Sequence, residues 1–87
     1  MNCSVYVLQS KKNGSYYVGS AVDPQTRLAD HNLGKTTYTS RNRPFELVFQ
    51  QKFESVSKAR TIEQRIKSWK RRDFIEKIIT DGGIRSA

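Results

Sequence analysis

Residues 4–20 read SVYVLQSKKNGSYYVGS. Two runs rich in Val and Tyr, 4–10 and 15–20, flank Lys11-Lys12-Asn13-Gly14, and an Asn-Gly step between such runs signals a β-hairpin. Side chains alternate along a strand. Whether the turn holds two residues or four, even positions of the first run pair with odd positions of the second. Val5, Val7, Tyr16 and Val18 therefore share one face, and Tyr6, Tyr17 and Gly19 share the other. The valine face is the natural core face. Two phenols on the opposite face need a separate reason to be there.

Reading outward, Asp23-Pro24 opens a helix, with Asp23 as N-cap and Pro24 in the first helical position. This helix runs to about Leu33 and stops at Gly34. Residues 35–44, KTTYTSRNRP, are a basic polar loop ended by Pro44. Phe45 to Phe53 reads as a third strand, with Phe45, Leu47, Phe49 and Phe53 on odd positions and Val48 breaking the pattern. Ser55 begins a second long helix, in which Ala59, Ile62, Ile66 and Trp69 form an apolar stripe at spacings of three and four. Lys70-Arg71-Arg72-Asp73 interrupts it before a last helical stretch carrying Phe74, Ile75, Ile78 and Ile79. Gly82-Gly83 and the tail beyond are expected to fray. The order is ββαβαα. That predicts a small α/β (α+β) fold, a three-stranded antiparallel sheet flanked by helices, in a single domain over 1–87 with its core at about 4–80.

The chain has 87 residues, so its core is thin and each aromatic residue needs a reason. Lys and Arg number 16 against 8 Asp and Glu, and a formal charge of +8 favours a polyanionic partner. Nucleic acid is the first candidate and an anionic membrane the second. The single cysteine, Cys3, excludes an internal disulfide and a cysteine-rich zinc site, and fits a reducing compartment. With no apolar run of membrane-spanning length and no signal-like start, a cytoplasmic protein without membrane attachment is expected.

Two further groups draw attention. Arg27 and His31, four apart, lie on one side of the first helix, and His31 is the single histidine. Glu63 falls at the margin of the apolar stripe, among Lys58, Arg60, Arg65 and Lys67. A carboxylate half-drawn inward among cations is a place for a hard metal ion.

Ser4-Val5-Tyr6, Tyr17-Val18-Gly19, Arg27 and His31 on a helix and a helical Glu63 together resemble the GIY-YIG nuclease domain. The resemblance extends from Val5 to about Trp69. The segments GKTTYTSRNRPFELVF and EQRIKSW are similar to the small stand-alone bacterial proteins of the UPF0213 (YhbQ-like) type. It implies an endonuclease that cuts phosphodiester bonds with one divalent ion, Mg²⁺ or Mn²⁺, with DNA favoured over RNA and repair or recombination as the setting. It also implies roles. Glu63 is the metal ligand, and Tyr17 the general base or the group that positions the nucleophile. Arg27 clamps the scissile phosphate, and Tyr6 and His31 support it. A free tyrosine has a pKa of about 10, so a basic Tyr17 needs cations nearby, for which Arg27, His31 and the metal are the candidates. Gly19, lacking a side chain, is expected to let substrate or a helix approach the sheet. The chain departs from the family pattern in carrying Ser4 for glycine, Val18 for isoleucine and Ser20 where some relatives have lysine. It also has no asparagine beyond Asn42.

Singly, most of these residues have ordinary explanations: tyrosine favours strands, and Glu63 can simply pair with Arg60 or Lys67. Their combination carries the functional reading. Lys35, Thr37, Tyr38, Arg41 and Arg43 make a basic loop with one aromatic, suited to phosphate contact and base stacking. Lys70-Arg71-Arg72 can extend that footprint. Tyr16 and Trp69 are assigned to the core and Asp30 to solvent. Two alternatives to a self-sufficient nuclease stand beside it: a non-catalytic nucleic-acid-binding module, and a nuclease subunit that needs a protein partner or a second copy of itself.

Overall fold

The computed structural model of the protein describes residues 2–34, 41–69 and 72–83. Among them the order is β1 (Cys3–Ser10), β2 (Tyr16–Ala21), α1 (Pro24–Asn32), β3 (Phe45–Phe53), α2 (Val56–Trp69) and α3 (Arg72–Asp81). The strands form one antiparallel sheet in the order β2-β1-β3, so among the described residues one edge of β2 has no partner strand. Among the described residues the order ββαβαα and the antiparallel sheet are as the sequence predicts.

The hairpin sets the faces. Tyr6 lies opposite Gly19, Val7 opposite Val18 and Leu8 opposite Tyr17, which is the register of a four-residue turn. Gly14 takes φ of +77° and its N–H donates to the Ser10 carbonyl. The Ser10 hydroxyl accepts from the N–H groups of Lys12 and Asn13, fixing the turn from inside.

One face of the sheet carries Val5, Val7 and Val18. Packed on it are Ala59, Ile62 and Ile66 from α2 and Ile78 from α3, in one buried hydrocarbon core. Tyr16 flanks this core, as expected; its hydroxyl donates to Glu76 and the Arg72 guanidinium lies 4.8 Å from its ring centroid.

The opposite face is also covered. Tyr6, Leu8 and Phe45 are buried there, with Tyr17, Leu28 and Leu47 packed around them. α1 is held on this face by Asn32, whose side chain accepts from the Phe45 N–H at 2.6 Å and donates to its carbonyl at 3.1 Å. Asp23 caps the helix as expected, accepting from the Gln25 N–H and the Thr26 hydroxyl.

β3 differs from simple alternation. Val7 pairs with Phe49 but Leu8 pairs with Leu47, so Val48 is an extra residue in a bulge. One inserted residue shifts the alternation by one position. Phe45 and Leu47 therefore join the α1 face while Phe49 and Phe53 join the α2 face, although all four have odd numbers. The third strand feeds both cores.

Candidate active site

Tyr17 and Ser20 are three apart on β2 and so point to opposite faces. Both nevertheless line the same cavity of about 310 Å³. This is possible because β2 is an edge strand: the cavity sits at its outer edge, reached from both faces. From the α1 side come Tyr6, Tyr17 and Arg27, and from the α2 side come Ser20, Arg60 and Glu63.

On the α1 side four rings form a row. The Tyr6 and Tyr17 centroids are 6.5 Å apart, Tyr17 and His31 4.7 Å, and His31 and Phe45 6.2 Å. Tyr6 is 2% exposed. Burial, reinforced by Tyr17 beside it, pushes its phenol up to about 12 against the pull of the Arg27 guanidinium, which hydrogen-bonds to it. Tyr6 is thus a neutral phenol that fixes Arg27, and it is no candidate for a base. Arg27 also stands 3.9 Å from Asp30. Asp30 is half-buried and engaged there, so its assignment to solvent is corrected.

Gly19 is explained by this row. A Cβ on Gly19 would lie 2.5 Å from the Tyr6 hydroxyl oxygen and 2.6 Å from Cζ. The space that the missing side chain leaves is filled by the Tyr6 phenol across the strand pair, and not by a helix. The two motif residues are complementary halves of one contact.

His31 is 3% exposed and stands behind Tyr17, away from the cavity wall. Burial, with Arg27 one turn away, lowers its pKa from 6.5, only partly offset by Asp30. It is neutral at neutral pH, so the expectation that it adds positive field around Tyr17 is corrected. Its ring supports Tyr17 by packing.

On the α2 side, Arg60, Glu63, Gln64 and Lys67 follow one another at helical spacing, a polar stripe beside the apolar one. The Glu63 side chain is 13% exposed and both its oxygens are engaged. Ser20 Oγ donates to Oε1 at 2.5 Å and Lys67 Nζ stands 2.6 Å from Oε2. The Lys67 ammonium also lies 5.8 Å from the Tyr17 ring centroid. Ser20, Arg60, Gln64 and Lys67 were not singled out as site residues from the sequence. The three helical ones were accessible from their spacing around Glu63, whereas Ser20 required knowing that β2 is an edge.

The donor chemistry fits a hard divalent cation. Among the described residues no group of three or more His, Cys, Asp and Glu comes together, so a zinc-like cage is absent. One carboxylate with a neighbouring hydroxyl suits Mg²⁺, which keeps several waters and is completed by substrate phosphate.

Only part of the basic loop lies among the described residues. Lys35, Thr37 and Tyr38 lie outside the described residues, as do Lys70 and Arg71 and the side chain of Trp69. Arg41 and Arg43 are exposed but do not line the cavity. The Arg41 carbonyl accepts from Lys12 at the hairpin end, and the Arg43 guanidinium lies against Gly34. No helix among the described residues is long and apolar enough to cross a membrane.

The profile of the GIY-YIG catalytic domain matches residues 2–77. A UPF0213 protein of Staphylococcus haemolyticus is 39% identical over 75 residues, which cover 85% of this chain and 90% of the relative. A UPF0213 protein of Staphylococcus saprophyticus is 37% identical over 79 residues, covering 90% of this chain and 94% of that one. The solution NMR structure of a UPF0213 protein from Bacillus halodurans superposes with a TM-score of 0.58 at 36% identity, covering 95% of this chain and 88% of that one.

Proposed function

As the chain belongs to the GIY-YIG catalytic domain family, we propose that it is a metal-dependent endonuclease hydrolysing phosphodiester bonds in DNA. The observation that carries this reading is the edge cavity, which joins Tyr17 and Arg27 from one side of the sheet to Glu63 from the other. Binding alone does not call for a carboxylate in a basic cavity.

The roles follow from chemistry and placement. Arg27, steadied by Tyr6 and Asp30, presents its guanidinium to a non-bridging oxygen of the scissile phosphate, where charge builds in the transition state. Tyr17, backed by the His31 ring, positions the attacking water and, acting as its phenolate, takes the water's proton to become the neutral phenol. Glu63, with the Ser20 hydroxyl beside it, holds the divalent ion. When bound, that ion supplies charge to offset the developing negative oxygens. Arg60 adds a second cation to the cavity wall.

The test is cleavage of single-stranded, duplex, flapped and branched DNA, and of RNA, with Mg²⁺ and with Mn²⁺. Glu63→Gln keeps size and helix propensity, so it should fold as wild type and still bind DNA while losing cleavage by roughly 100-fold or more. Tyr17→Phe should keep the fold and lose activity comparably. Wild type that binds DNA but cuts nothing with either ion leaves a binding module in place of an enzyme.

A further inference from the structure

Glu63 has cations on both sides along its helix face, Arg60 before it and Lys67 after it, yet among the described residues its ion pair is with Lys67. Arg60 lines the same cavity without a partner among the described residues. The asymmetry matters because Glu63 is only 13% exposed, whereas Lys67 is 42% exposed on a flexible four-carbon stem. A nearly buried carboxylate is costly to leave unpaired. Oε1 already accepts from the Ser20 hydroxyl, so a divalent ion that engages the whole carboxylate must take Oε2 from the ammonium, and two cations cannot share that oxygen without strong repulsion.

We propose that Lys67 is a positioning residue. It holds the Glu63 carboxylate in place in the metal-free protein and releases it when a divalent cation binds. This rests on the reading of Glu63 as the metal ligand. The released ammonium has a short way to go: it already lies beside the Tyr17 ring at the cavity, where a substrate phosphate oxygen can receive it. Metal and nucleic acid then favour one another, since each draws away a group that hinders the other, and such coupling is reciprocal. The free protein should bind metal weakly for the same reason.

The experiment is a Mn²⁺ titration of the intact protein without nucleic acid, with free Mn²⁺ read by electron paramagnetic resonance. Four variants accompany wild type. Lys67→Met keeps the stem and removes the charge, and Mn²⁺ affinity should rise about tenfold, equivalent to about 1.4 kcal/mol. Lys67→Arg keeps the charge and should return the affinity to the wild-type value. Arg60→Gln removes a cation from the same cavity wall without breaking a pair, so it should change affinity by no more than about threefold if the effect is competition and not general field. Glu63→Gln should abolish site binding. A parallel Mg²⁺ titration should shift the side-chain ¹⁵N signal of Lys67 toward that of a free lysine. If Glu63→Gln loses Mn²⁺ but Lys67→Met binds it no better than wild type, the Lys67 proposal falls and the metal ligand stands. Equal gains in Lys67→Met and Arg60→Gln also overturn it. If Glu63→Gln binds Mn²⁺ as wild type does, both readings fall together.

Discussion

The sheet face under α2 is packed with hydrocarbon, whereas the face under α1 is packed with rings that carry polar atoms. Val5, Val7, Ala59 and Ile66 are almost wholly buried on the first. Tyr6, Tyr17 and His31 share the second with Leu8 and Phe45. Both faces exclude water, but only the α1 face pays for order in polar groups that must find partners. In return, those groups present a fixed guanidinium and a fixed phenol at the edge of β2. One side of the small sheet buries hydrocarbon, and the other sets polar groups at the edge. Glu63 crosses this division: its helix belongs to the hydrocarbon face, but its carboxylate opens at the edge.

The largest expected break in this comparison is Ile66→Ala. Ile66 is 1% exposed in the hydrocarbon core, and truncation should cost about 2–5 kcal/mol of unfolding free energy. Urea denaturation measures it. The activity of molecules that remain folded should be nearly unchanged, because Ile66 does not line the cavity. A large loss of activity per folded molecule would mean that the two faces are not separable.

Gly19→Ala comes next and acts on the other face. The new methyl meets the Tyr6 ring across the strand pair, and the phenol has little room to retreat. Overpacking of this kind costs about 1–3 kcal/mol. Here activity should fall along with stability, since displacing Tyr6 releases Arg27. Adding Tyr6→Phe removes the hydroxyl but leaves Cζ in the way, so it should recover only part of the stability and none of the anchoring.

These two residues also mark what the sequence discloses. The hairpin faces were legible because turns of two and of four residues give the same pairing parity, and α1 was legible from Asp23-Pro24 at one end and Gly34 at the other. The partition of β3 was not, since a bulge at Val48 leaves no mark that distinguishes it from an ordinary interruption. Within the site, residue types and spacings nominated Tyr6, Tyr17, Arg27 and Glu63, which meet at the cavity. Their electrostatic states were hidden. Whether His31 is charged depends on burial behind Tyr17, and whether Glu63 pairs forward or backward along its helix depends on rotamers that spacing leaves open. The purpose of Gly19 was equally hidden, because it rests on a cross-strand neighbour that only the register identifies.

The smallest effect concerns pH and separates the faces by the shape of a curve instead of its height. His31 has its pKa lowered in the folded chain, first by burial and then by Arg27, with Asp30 opposing. Below its ordinary pKa of about 6.5, the unfolded chain takes up a proton that the folded chain resists. The unfolded state then binds more protons, so stability falls as pH falls. His31 therefore contributes no penalty above that value. It imposes a growing one as pH drops toward the folded-state pKa, and no further change beneath it. Wild-type unfolding free energy, measured from about pH 7.5 down to about pH 5.5, should decline toward the acid side of this window, where ordinary carboxylates have not yet titrated. His31→Phe keeps a ring against Tyr17 and Phe45 but cannot titrate, and should flatten that decline. Ile66→Ala, by contrast, should lower the whole curve and keep its slope. A wild-type curve that is flat across the window would mean that the folded chain protonates His31 as readily as the unfolded one, and that water reaches behind Tyr17.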